Sequence, residues 1–130
     1  TIKACAEKQN CSFAVYRTRN GLRVLQTDSL YQGVGLVATR ILEELGSDPK
    51  YIEYCQKNNR FMARITPKGN QYEMETYYNQ LLHYQNTEVR ICDLIASYSG
   101  SKFITIESLE GAITMHDYAT KAEEIQLPIK

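Results

Sequence analysis

Two strand-like segments, Phe13–Gln26 and Arg60–Lys68, set the tightest limit on what this chain can fold into. In the second, strict alternation puts Arg60, Met62, Arg64, Thr66 and Lys68 on one face and Phe61, Ala63 and Ile65 on the other. Three cations backed by an apolar face predict a sheet that packs on helices and shows an anion-attracting surface to water. In the first segment, Asn20-Gly21 separates two β-rich runs. That is a strong hairpin signal, because both central residues of a type I′ turn need positive φ. In that register Arg17 and Arg19 share a face with Val15, Leu22 and Val24, and Arg23 pairs with Thr18. A four-residue loop would change these pairings.

The rest of the chain reads as mainly helical. Ile2, Cys5 and Ala6 predict a short first helix ending near Asn10. Apolar residues at 34, 37, 41, 42 and 45 predict an amphipathic helix stopped by Gly46. Asp48-Pro49 opens the next: Asp caps free amides, and Pro at the first helical position has no amide to leave unpaired. Tyr51, Ile52 and Cys55 form its inner face, and Asn58-Asn59 ends it. Met74, Tyr77, Tyr78, Leu81 and Leu82 mark another helix. Ile91, Leu94, Ile95 and Tyr98 mark one more, stopped at Gly100. Lys102–Ile106 reads as a short strand, and Ser108 opens a last helix with Leu109, Ala112, Ile113 and His116 on one side. The whole predicts one α+β domain over residues 1–130: a small, mainly antiparallel sheet with an N-terminal hairpin and several helices packed on one face.

At 130 residues the chain is long enough to bury a core without staples. No apolar run approaches the roughly 18 residues of a membrane span, so no membrane partner is expected. A first residue of Thr1 rather than Met predicts that upstream sequence has been lost or processed. Formal net charge is zero but unevenly spread: residues 1–68 carry eleven Lys/Arg against six acids, residues 69–130 four against nine. That asymmetry fits a polyanionic partner, or two halves that complement each other within one fold or between two copies. The four cysteines form no C-x-x-C, which reads as a reduced, cytoplasmic protein rather than a disulfide scaffold.

Chemistry-bearing motifs are sparse. There is no G-x-S-x-G and no Gly-rich phosphate loop, and Gly33-Val34-Gly35 lacks the third glycine of a dinucleotide fingerprint. His116-Asp117 is the only His/Asp neighbour pair, and adjacent helical residues point apart, so it does not read as a dyad. No ligand spacing implies a metal, and no cofactor is expected. What remains is arginine, whose planar donor fork suits phosphate oxygens. Arg17, Arg19 and Arg23 near the hairpin, with Arg60, Arg64 and Lys68 on the later strand, are the candidate nucleic-acid-binding residues. The plainer alternative is solvated surface, with local pairs to Asp28 and Glu53.

Three segments together resemble, in order, the elements of archaeo-eukaryotic primase domains: Tyr16-Arg-Thr-Arg-Asn-Gly21-Leu-Arg23, Leu45-Gly-Ser-Asp48-Pro-Lys-Tyr51 and Arg60-Phe-Met-Ala-Arg64-Ile-Thr66-Pro67-Lys68. The resemblance implies that Arg60, Arg64 and Lys68 grip nucleotide phosphates and that Arg23 stands near the family's motif histidine. That histidine is absent, and Glu7 is the only acid before the hairpin, so the family's paired metal-binding carboxylates are missing. The resemblance therefore implies a relative without two-metal chemistry, or a piece lacking its metal-binding strand. The expectation is a non-catalytic nucleic-acid- or nucleotide-binding domain, with self-assembly through the basic and acidic halves as the alternative.

Overall fold

The computed structural model describes residues 1–63, 90–124 and 129. Among these, four helices accompany a three-stranded antiparallel sheet: α1 (Ile2–Gln9), β1 (Ser12–Thr18), β2 (Leu22–Gln26), α2 (Leu36–Glu44), α3 (Pro49–Asn58), β3 (Cys92–Ser99) and α4 (Glu107–Thr120). The strand order is β2-β1-β3, with the N-terminal hairpin contributing the centre and one edge. The α+β class expected from the sequence is the one observed. The helix expected around Met74–Leu82 lies outside the described residues.

The chain divides into two compact units. The first takes Thr1–Phe13, Gln26–Ala63 and Ser97–Ile106. There α1 buries Cys5 and Ala6 and ends on Asn10 in the left-handed region, φ 52°. Gly100 passes so close to that turn that an added Cβ would lie 2.7 Å from Asn10 Cα. α2 stops as expected at Gly46, φ 74°, whose neighbour Ser47 returns its amide to the Leu42 carbonyl. Asp48 Oδ1 accepts the Lys50 amide at 2.9 Å, Pro49 follows it, and Asn59 closes α3 at φ 53°. Asn59 also reaches back, its Oδ1 accepting the Val34 amide at 2.9 Å beside Gly33, φ 82°.

Of the expected Arg60–Lys68 strand, residues 64–68 lie outside the described residues, and the expected strand Lys102–Ile106 is not found. Phe61–Ala63 form no strand: the Tyr51 hydroxyl donates to the Met62 carbonyl, and Phe61 is 40% exposed with its edge towards Tyr31 rather than in the core. The aromatic residues of α3 hold this stretch as an irregular return. Lys102–Ile106 is also irregular, because side-chain hydroxyls take the place of a ladder. The Ile104 amide donates to Ser12 Oγ, and Thr27 Oγ1 donates to the Ile104 carbonyl at 2.6 Å.

The second unit takes Ala14–Leu25 together with residues 90–96 and 107–124 and Ile129. The Thr18 amide donates to the Gly21 carbonyl at 2.8 Å, so the loop is Arg19-Asn20 and not Asn20-Gly21. Neither Asn20 nor Gly21 has positive φ. Arg23 therefore lies across from Tyr16 instead of Thr18, although each residue keeps its expected face. One face collects Ala14, Tyr16, Leu25, Cys92, Leu94 and Ala122 into a core cluster. β3 replaces the helix expected from Ile91, Leu94, Ile95 and Tyr98. Its burial alternates along 94–97, with Ile95 turned out to 46% exposure. The end of α4 is tied to β3 through the main chain: the Ile91 amide donates to the Thr120 carbonyl and the Leu94 amide to the Ala122 carbonyl.

Candidate functional site

Two polar constellations in the second unit rest on opposite faces of the hairpin. On the Tyr16 face, α4 buries His116, and both of its ring nitrogens are engaged. Arg23 Nη1 lies 3.0 Å from Nε2; a guanidinium only donates, so Nε2 accepts. Nδ1 then carries the proton and donates to Asp117 Oδ1 at 2.9 Å. The same oxygen accepts the Tyr16 hydroxyl at 2.7 Å, and the Tyr16 ring meets the imidazole edge-on, centroids 4.9 Å apart. His116 and Asp117 thus do interact, contrary to the sequence expectation. Neighbouring Cβ atoms diverge on a helix, but Tyr16 draws the carboxylate round towards the imidazole.

This cluster is a closed chain of donors and acceptors. Burial lowers the His116 pKa and the Arg23 cation lowers it further, while the Asp117 bond opposes both. Burial raises the Tyr16 phenol, and its bond to Asp117 adds to the shift. A neutral imidazole with its acceptor nitrogen capped by arginine has no lone pair left for a substrate proton. The thiols offer no alternative nucleophile. Cys5 is pushed up to about 11 by burial and its bond to Glu44, and burial also raises Cys11 and Cys92. All four cysteines are free and buried.

On the Arg17 face the arrangement is open. Arg17 Nη2 donates to Asp93 Oδ2 at 2.8 Å, while 58% of its side chain stays exposed. Asp93 is buried, and its other oxygen accepts Arg90 Nη1 at 3.0 Å. One carboxylate shared by two guanidiniums leaves this group of three side chains with an excess of one positive charge. It also fixes the Arg17 fork by one nitrogen, with much of the side chain still open to solvent. Arg19, in the two-residue loop, is exposed beside it.

Within the second unit the expected site residues divide between the two faces of the hairpin. Arg17 and Arg19 belong to the open hairpin end, and Arg23 is committed to His116 on the other face. Arg60 sits in the first unit, exposed, its amide returned to the Cys55 carbonyl at the end of α3. Arg64 and Lys68 lie outside the described residues. Asp93 and Arg90 escaped sequence reasoning because residues 91–98 carried a helical reading. In a strand register, Arg17 and Asp93 become cross-strand neighbours.

Among the described residues no group of three or more His, Cys, Asp or Glu is placed to hold a metal ion, and no helix is long and apolar enough to cross a membrane. The open groove at the end of α4, about 370 Å³, is lined by Thr114, Asp117, Tyr118, Lys121, Glu123 and Glu124; its acidic excess disfavours phosphate. No family model, curated protein or solved structure matches the chain.

Proposed function

We propose that this chain is a non-catalytic binding module for phosphate-bearing strands, nucleic acid above all, with Arg17 and Arg19 of the hairpin as its contact residues. The observation that carries the reading is the sharing of Asp93 by Arg17 and Arg90. It pre-orients an exposed guanidinium within a group of three side chains that carries one net positive charge. The sealed state of His116 and the raised thiols support the non-catalytic part. Arg23 serves in this reading as a structural partner of His116. Arg60, Arg64 and Lys68, the phosphate-gripping strand of the primase-like resemblance, are further contacts that mutation can test.

The test is fluorescence anisotropy with labelled single-stranded and duplex DNA and RNA at low and at physiological salt. Binding should fall steeply with salt, and Arg17→Ala should weaken it for all sequences alike, reducing the log–log salt slope by about one. Salt-independent binding, or none at low salt, refutes the reading and directs attention to self-association.

A further inference from the structure

Among the described residues, Arg90 Nε is the fully buried side-chain polar atom without a hydrogen-bond partner. Orphan donors of this kind are rare in proteins, and an ion or water normally accounts for them. The geometry around it is specific. Arg90 meets Asp93 through Nη1, so its Nε–Nη2 edge takes no part in that pair. Two parallel N–H groups on that edge are the pattern that grips an oxyanion bidentately. Arg17 stands on the other oxygen of the same carboxylate, so two cations face one anion. Water would satisfy Nε but leave the charge excess, whereas an oxyanion answers both.

We propose that the Nε–Nη2 edge of Arg90 binds a phosphate-class oxyanion, with Arg17 as the second cation of the site. This deepens the binding reading, since Arg17 belongs to both. The Arg90 side chain is only 9% exposed, which favours a terminal phosphate or a free phosphate ion over the internal diester of a strand. Asp93 holds the two guanidiniums on its two oxygens.

The test uses the full chain in two arms. Thermal unfolding is compared in sodium phosphate and in sodium chloride at matched ionic strength. Phosphate at about 10 mM should raise the midpoint by about 3 °C over chloride. Arg90→Lys keeps the charge but lacks the fork, and should lose that increment. Should this variant fold poorly, Arg17→Gln provides the second probe, with phosphate affinity at least about threefold weaker. In the other arm, anisotropy compares oligonucleotides ending in 5′-phosphate and 5′-hydroxyl. A preference of about tenfold for the phosphorylated end assigns the site to strand termini. Phosphate stabilisation without that preference assigns it to the free ion. Equal behaviour of phosphate and chloride, with no end preference, overturns the proposal. Salt-sensitive strand binding that still requires Arg17 would then leave the broader binding reading intact.

Discussion

Replacing Tyr16 with Phe removes one oxygen from an enclosed polar cluster, so its effect can be worked out atom by atom. Tyr16 is 1% exposed, and its hydroxyl donates to Asp117 Oδ1 at 2.7 Å. A hydrogen bond to a charged partner contributes about 1.5–3 kcal/mol. Phe leaves no orphan donor, and the Asp117 side chain is 20% exposed, so water can take part of the vacated position. The expected loss is therefore in the lower half of that range, about 2 kcal/mol, or about 6–8 °C for a chain of this size. Urea unfolding followed by circular dichroism reads it as a lower midpoint at unchanged m-value. The substitution also relieves Asp117 of one donor and strengthens its hold on the His116 proton, so an NMR titration should find the His116 pKa raised. Tyr16→Phe as stable as the parent, with His116 titrating unchanged, would refute the cluster as described.

Protonation should act on the same cluster. His116 binds its proton less readily in the folded than in the unfolded chain, so its contribution is complete above about pH 6.5 and is lost as pH falls through the folded value. Urea midpoints measured from pH 7.5 downwards should fall more steeply for the parent than for His116→Gln; parallel profiles would count against it. Gly33→Ala should destabilise by upwards of about 1 kcal/mol, because φ is +82° and the new Cβ would run into the Asn59 side-chain amide. Gly21→Ala, with open space and ordinary φ, should stay within about 0.5 kcal/mol, and equal effects at the two sites would refute the assignment. Cys5, at about 11, should react with iodoacetamide at pH 8 at least roughly a hundredfold more slowly than a free thiol. Alkylation at the free-thiol rate in the folded protein would contradict its burial.

Where local chemistry decides, the sequence could be read closely. Asp48, Pro49 and Asn59 bracket α3 at the positions their side chains suit, and Gly46 ends α2. Elsewhere tertiary contacts outweigh pattern. β3 turns Cys92, Leu94 and Ala96 inwards and Ile95 outwards, so two of the three inward positions hold small residues while a large apolar one points to water. The resulting spacing of Ile91, Leu94, Ile95 and Tyr98 imitates a helix. Losing that strand also hid Asp93, and with it the setting that distinguishes Arg17 from an ordinary surface cation. The hairpin was legible but its loop was not, since moving the loop by one residue shifts each cross-strand partner by two and so preserves every face. His116 and Asp117 meet although they are helix neighbours, because the carboxylate also serves Tyr16, a residue distant in sequence.

The ordinary backbone of the Arg19-Asn20 loop has a practical consequence. A turn that demands left-handed residues tolerates few substitutions, but this one makes no such demand, and a Cβ added at Gly21 would meet nothing within 4 Å. A cysteine or a photoreactive residue can therefore be placed at position 21, two residues on from Arg19, without disturbing the strands behind it. The hairpin tip is thus a natural attachment point for a cross-linker, able to capture covalently whatever docks against the two arginines.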